Sequence, residues 1–294
     1  MGLLLQLLFN GVVVGAVYGL LAVGFGLIFT TTRIFHFAHG AVYTFAGFIV
    51  YSFTTTLGWP LAVAILLTMG ICGAVSGGIE LAIYRPLRAR RASPLAVLIA
   101  SLAVLVLAQN LLAIFYGNEM RSLAGAVVFR GFEVGPIWVT SIQLITIATC
   151  AVLFGLLKLF LRYSRYGKII RALANNYEAA RIIGADPDRT FLVTFVIGGI
   201  LVVPAAVLVG MLTGLKPFGG TSAVLVAAIA VIVGGMGSIM GAAPGALLIG
   251  IAENLAVWRI STEWQTAVAF TVLLLFIIFR PTGFFGQRVR KTEV

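Results

Sequence analysis

The chain is a succession of long apolar runs, and this limits its possible folds more than any other feature. A helix needs about 20 consecutive apolar residues to cross the hydrocarbon core of a bilayer. Such runs occupy roughly residues 4–29, 37–56, 60–83, 94–115, 138–161 and 190–215. A glycine-rich region, 221–257, and a last run, 262–279, follow. Only 10% of the residues are charged and 61% are hydrophobic, with a mean hydropathy of +1.11; soluble domains carry about 25% charged residues. Backbone polar groups in lipid must be satisfied internally, which leaves helices or closed barrels. A barrel reads as segments of about 10 residues with alternating polarity, and this sequence has none. The expected fold is all-α: a polytopic transmembrane helical bundle, with residues 1–294 as a single domain. The N-terminal MGLLLQLLFNG has no basic stretch and no small-residue cleavage site, so it is expected to belong to the first span.

The net charge of +11 is read as topology and not as affinity for nucleic acid. Lys and Arg concentrate on the cytoplasmic side of membrane proteins. Arg85, Arg88, Arg90 and Arg91 cluster between the third and fourth runs. The segment 162–189 carries Arg162, Arg165, Lys168, Arg171, Arg181 and Arg189, and the tail carries Arg280, Arg288, Arg290 and Lys291. With these three regions inside, every Lys and Arg except Arg121, Arg130, Lys216 and Arg259 is cytoplasmic. The sixth run then ends outside and the last run ends inside. Region 221–257 must therefore enter and return, as two short crossings or as a re-entrant hairpin.

That region is interrupted by Gly234-Gly235-Met236-Gly237-Ser238. Irregular backbone at membrane depth survives where it is buried in protein or lines a cavity, so Gly234, Gly235, Gly237 and Ser238 are candidates for a transport pathway. Close helix packing through Gly237, Gly241, Gly245 and Gly250 explains the same glycines equally well. Polar residues inside spans are functional suspects. Gln109 and Asn110 are pathway candidates on this ground, although interhelical hydrogen bonding accounts for them too. Glu253 and Arg259 are expected at the wetted outer interface, and Glu80 as a partner of the arginines that follow it. His36 and His39 lie three apart, but no third ligand stands near them in sequence, and a metal site takes three or four. They are expected to shape a break between the first two spans. Cys72 and Cys150 sit within apolar runs and imply no disulfide framework. No hydrolytic or nucleotide-binding motif is present, so no catalytic residue or cofactor is expected.

The longest polar interruption, Arg162–Arg189, has a helical pattern. Ile169, Ile170, Leu173, Tyr177, Ala180 and Ile183 recur at spacings of three and four, with Arg171, Asn175, Glu178 and Arg181 on the other face. Within it, Glu178-Ala179-Ala180-Arg181-Ile182-Ile183-Gly184 resembles the E-A-A-x-x-x-G loop of ATP-binding-cassette importer permeases. Gly184 suits a left-handed exit from a helix. Asp186-Pro187 reads as a cap followed by proline at the first helical position. An amphipathic helix resting on anionic lipid is the other reading of the segment.

Further motifs stand in matching order. They are Asn10-Gly11-Val12, Phe35-His36-Phe37-Ala38-His39-Gly40, Tyr84-Arg85-Pro86-Leu87-Arg88, Arg162-Tyr163-Ser164-Arg165-Tyr166-Gly167, Thr194-Phe195-Val196-Ile197-Gly198-Gly199, Val233-Gly234-Gly235-Met236-Gly237-Ser238-Ile239 and Arg280-Pro281-Thr282-Gly283. Together they resemble the branched-chain amino acid permeases, LivH type, from about residue 8 to residue 287. The stretch Met240-Gly241-Ala242 departs from that pattern, in which a proline precedes the first small residue.

The resemblance implies a bacterial inner-membrane subunit that pairs with a second, LivM-type permease and two ATP-binding subunits. A periplasmic binding protein would deliver leucine, isoleucine or valine. It implies that Glu178, Ala179, Ala180 and Gly184 form a coupling helix against the ATPase, and that this chain hydrolyses nothing itself. Other amino acids, urea or short amides are alternative cargoes; a secondary transporter or a membrane-embedded enzyme are alternative classes.

Overall fold

The computed structural model describes residues 2–123 and 130–286; the tail residues Arg288, Arg290 and Lys291 lie outside that range. Helix α1 (Gly2–Thr32) has 31 residues, about 46 Å at 1.5 Å per residue. It is the axis of the bundle. In its most apolar window 83% of the residues are buried inside the protein, against 6% for Thr262–Phe279, the segment that holds the last helix.

Glycines at every fourth position explain why α1 can be central. Gly11 and Gly15 face α11 (Ala242–Ala256), which runs antiparallel to α1. A Cβ on Gly11 would stand 2.7 Å from the Cα of Ile251, and one on Gly15 2.7 Å from the Cα of Leu247. Lipid supplies no hydrophobic drive for helices to associate, so this backbone-to-backbone fit is what holds the pair. The same device joins α2 (Ala38–Tyr51) to α10 (Gly219–Gly234), where Gly40 and Gly220 touch through their backbones. It also joins α9 (Pro187–Leu212) to α3 (Leu61–Ile79), where Gly199 rests on the carbonyl of Cys72.

Helix α3 does not stop at Ile79. It passes through a π turn, Glu80–Tyr84, into the short α4 (Arg85–Ala89). Ser93 then caps α5 (Pro94–Tyr116), its Oγ accepting from the Ala96 amide at 3.2 Å. Helix α5 and α12 (Gln265–Phe279) turn large side chains outward, among them Leu107, Ile114, Phe115, Leu274 and Phe279. These are the faces presented to lipid or to another subunit.

The fifth span begins later than the apolar run suggests. Residues 137–140 form strand β2 (Ile137–Thr140), paired antiparallel with β1 (Gly131–Val134). Helix α6 (Ser141–Tyr163) starts only after Thr140, because Thr140 and Gln143 form a reciprocal capping box. Gln6 on α1 clips this hairpin to the bundle: its Nε2 donates to the Trp138 carbonyl at 3.0 Å, and the Trp138 amide donates to its Oε1 at 2.7 Å.

The glycine-rich region is two antiparallel helices, α10 and α11, joined by a turn at 235–241. The turn lies beside Arg162 and Arg171, on the basic side, and the opposite ends meet the loop at Thr213–Lys216. With 16 and 15 residues, the two helices are about 24 and 22 Å long, short of a hydrocarbon core of about 30 Å. The hairpin therefore stops short on the side away from the basic turn and leaves a depression where its ends meet the Thr213–Lys216 loop.

Candidate functional site

Two places concentrate the polar chemistry. One is the basic polar segment after α6. Helix α7 (Arg165–Asn175) opens on Ser164, whose Oγ accepts from the Gly167 amide at 2.9 Å. Helix α8 (Tyr177–Ile182) opens on Asn176, whose Oδ1 accepts from the Ala179 amide at 3.0 Å. The segment is thus two helices. Asn176 has extended backbone (φ −150°) and breaks the periodicity that runs through residues 169–183. The break rotates the second half. Ile170, Leu173 and Ala180 are buried, but Ile183, expected on the same inward face, is 80% exposed, and Ile182 is 85% exposed. Gly184 ends α8 at φ +90°, and the Ala185 amide closes on the Ala180 carbonyl at 3.0 Å. Asp186 then caps α9, its Oδ1 accepting from the Arg189 amide at 3.2 Å, with Pro187 in the first helical turn.

The four residues of the E-A-A-x-x-x-G pattern divide into two roles. Glu178 and Ala179 are exposed, as is Gly184. Ala180 instead packs inward with Leu173 and Phe191. Below this cluster, the Arg88 guanidinium lies 4.8 Å from the Phe191 ring centroid. Arg88 donates to both carboxylate oxygens of Glu80 and, at 3.3 Å, to Asp188 near the start of α9. Arg85 reaches Asp188 as well, at 3.3 Å, but both side chains are about half exposed. The Glu80 side chain is 1% exposed and Arg88 25%. The expected partnership of Glu80 with the arginines is therefore buried, and it ties α3 and α4 to α9 directly beneath α8.

The glycine turn lies next to this platform. With Lys158, Arg162, Arg171 and Asn175, Gly237 and Ser238 line a cleft of about 360 Å³. Gly234 closes against Gly241, and the Ser238 Oγ accepts from the Gly241 amide at 3.1 Å. The last carbonyls of α10 would otherwise lack partners. They accept from the segment after α12: Phe284 N to Val233 O at 3.0 Å, and Phe285 N to Gly234 O at 2.9 Å. Gly235 (φ +116°) and Gly283 (φ +72°) make that approach possible. The Gly234–Gly235 and Arg280–Gly283 motifs, more than 40 residues apart in sequence, thus meet in the structure.

The other place is the depression at the outer end of the hairpin. Two adjoining lobes of about 430 and 370 Å³ share Val17, Tyr18, Thr213, Glu253 and Gln265 among their lining. The larger reaches Leu21, Tyr43, Thr44, Ser222 and Lys216. One turn deeper on α1, Phe25 packs edge-on against His39, and both are fully buried. Glu253 departs from expectation. It is 2% exposed rather than wetted, and it lines both lobes together with Tyr18; Arg259 is exposed. Gln109 exchanges hydrogen bonds with Thr221 at 3.1 Å and so joins α5 to α10. Asn110 is exposed and donates to its own helix at Val106 (2.8 Å). His36 and His39 stand at the break between α1 and α2; the His36 Nδ1 and the Tyr84 hydroxyl are 2.8 Å apart, and Tyr84 donates to Ser101 at 2.9 Å. Tyr18 and Tyr43 carried no signal in the sequence, because an aromatic residue within an apolar run reads as packing.

Known proteins resemble this chain over most of its length. Residues 7–277 match the family described as "Branched-chain amino acid transport system / permease component". The chain is 33% identical to the high-affinity branched-chain amino acid transport system permease protein LivH of Escherichia coli K12, over 96% of each chain. It is also 33% identical to the corresponding protein BraD of Pseudomonas aeruginosa, again over 96% of each. Among solved structures, PsaBC from Streptococcus pneumoniae in complex with Fab shares the fold at a TM-score of 0.53, with 13% identity over 93% of this chain and 91% of that one.

Proposed function

The chain belongs to the family of permease components of branched-chain amino acid transport systems, and from that premise we propose that it is a membrane subunit of an ATP-driven importer for leucine, isoleucine and valine. It is a multi-pass protein of the inner membrane, its role is transport, and residues 1–294 act as one permease domain. Hydrolysis of ATP belongs to two separate ATP-binding subunits, delivery to a periplasmic binding protein, and the second half of the pathway to a LivM-type permease.

The observation that carries this reading is the construction of α8. A six-residue helix is too short to hold itself together, yet this one is capped at both ends and seated through Ala180 on Leu173 and Phe191. It exposes Glu178, Ala179 and Ile182, with the exposed Ile183 directly after it. Two adjacent isoleucines more than three-quarters exposed call for a protein partner. When the ATPase subunits close on ATP, they bias the permease through their different fit to this knob in its two states. The displacement passes to α9 through Asp186 and Phe191, and to α3 through Arg88 and Glu80.

The test is purification of the chain with its co-expressed neighbours, followed by ATP hydrolysis in liposomes with and without leucine-loaded binding protein. Leucine-dependent stimulation is expected. Ile182→Asp and Ile183→Asp should leave the permease folded but release the ATPase subunits. Leucine uptake by the chain with no ATPase present refutes the proposal.

A further inference from the structure

We propose that the outer cavity contains an ammonium-recognition site for the transported amino acid, centred on the Glu253 carboxylate. The inference rests on the importer reading and adds a residue and a chemistry to it.

Glu253 is placed where an anion is hard to keep. It projects from α11 inside the bundle at 2% exposure and lines both lobes of the cavity. The ion pairs among the described residues use Glu80, Asp186 and Asp188, and none uses Glu253. Among the side chains that share both lobes with it, Tyr18 offers a phenolic hydroxyl, which carries no charge at neutral pH. Glu80 is equally buried, but Arg88 grips both its oxygens. A buried carboxylate without a cation is costly, and inside a membrane protein it marks a place where a cation binds or passes.

The rest of the lining suits an aliphatic amino acid. Val17, Leu21, Ala205, Val209 and Val226 give an apolar wall on one side, and Tyr43, Thr44, Ser222 and Gln265 give hydroxyl and amide groups. Lys216 lines the same lobe, so the cavity offers both signs of charge that a zwitterion presents. A volume of about 430 Å³ falls within the usual range for small-molecule sites, about 300–1,000 Å³. A cargo released here meets a buried carboxyl group in a low-dielectric setting; an ammonium ion arriving beside it favours the ionised form, and the charge-assisted hydrogen bond that results is strong.

The test is carried out on the full complex. Dicyclohexylcarbodiimide labels carboxyl groups in apolar surroundings, and mass spectrometry reads the label at Glu253, with Glu80 as an internal control. Three probes separate the chemistry: leucine, 3-methylbutylammonium, which lacks the carboxylate, and 4-methylpentanoate, which lacks the ammonium. The first two should slow labelling of Glu253 roughly tenfold, the third less than about twofold, and none should affect Glu80. Equal protection by 4-methylpentanoate, or protection by none of the three, overturns the proposal.

Uptake gives the second measurement. Glu253→Gln keeps a side chain that can bond Tyr18, so a purely structural role predicts uptake within about twofold of wild type. Ammonium recognition predicts a fall of roughly tenfold, with stimulation of ATP hydrolysis by the binding protein retained and partial rescue by Glu253→Asp. Should Glu253 take no label, this uptake measurement decides; should Glu253→Gln not assemble, the labelling decides. If the wild-type complex imports no branched-chain amino acid, the importer reading fails, whereas protection by 3-methylbutylammonium still reports on the site itself.

Discussion

Replacing Arg88 with alanine should be far more damaging than replacing Arg85, although both arginines pair with Asp188. Arg85 and Asp188 are each about half exposed, and such a pair contributes about 0–1 kcal/mol. Arg88 is the counter-ion of Glu80, whose side chain is 1% exposed. Its removal strands a carboxylate in the π turn of α3, and an orphaned buried partner costs about 3–5 kcal/mol. Because Arg88 is itself 25% exposed, some water follows the deletion, which lowers the expected cost to about 2–3 kcal/mol. At roughly 2–4 °C per kcal/mol for a domain of this order of size, the melting midpoint of the detergent-solubilised protein should fall by about 4–12 °C. Arg85→Ala should shift it by no more than about 4 °C. The discriminating variant is Glu80→Gln combined with Arg88→Met. It removes both charges and should recover most of the loss, since replacing a buried ion pair by neutral groups of similar volume is often harmless. The assay is thermal unfolding followed by size-exclusion chromatography, read as a double-mutant cycle. Equal shifts for Arg85→Ala and Arg88→Ala, or a double variant as unstable as Arg88→Ala, would refute the electrostatic argument and leave the lost Phe191 contact as the cause.

Gly15→Leu should abolish recovery of folded protein, because even its Cβ would stand 2.7 Å from the α11 backbone. Gly70→Ala, which meets nothing within 4 Å, should shift the melting midpoint by no more than about 2 °C. Gly184→Ala places a side chain at φ +90° and should cost about 1–2 kcal/mol locally. Global stability should change little while affinity for the ATPase subunits falls, and Gly184→Asn should be milder; retained affinity in Gly184→Ala would show that the left-handed exit does not hold α8. Gln109→Ala breaks its exchange with Thr221 and should cost about 1 kcal/mol, whereas Asn110→Ala, which loses only a bond to its own exposed helix face, should fall within about 0.5 kcal/mol. Thermal melting of the two variants side by side checks this.

The long apolar helices were legible because they follow from a one-dimensional signal, the length of each apolar run. Helix ends followed wherever the capping chemistry is local. Asp186-Pro187 and Gly184 act as their types predict, and the Thr140–Gln143 box, though visible in sequence, was masked by the apolar residues before it. Two features resisted for different reasons. A helical wheel drawn through 169–183 assumes one continuous helix. A single extended residue, Asn176, turns the wheel and moves Ile183 from the expected buried face to an exposed one. The error in the periodicity therefore falls on the surface that the proposed coupling uses. The outer cavity failed to show because no segment contains it. Tyr18 comes from α1, Tyr43 from α2, Thr213 from the end of α9, Glu253 from α11 and Gln265 from α12. Hydropathy finds Glu253 as one polar residue in a run and assigns it to the nearest water. Only the short lengths of α10 and α11, which leave space beyond the ends of the hairpin, explain how a residue in that position can be buried in the bundle and still face a cavity.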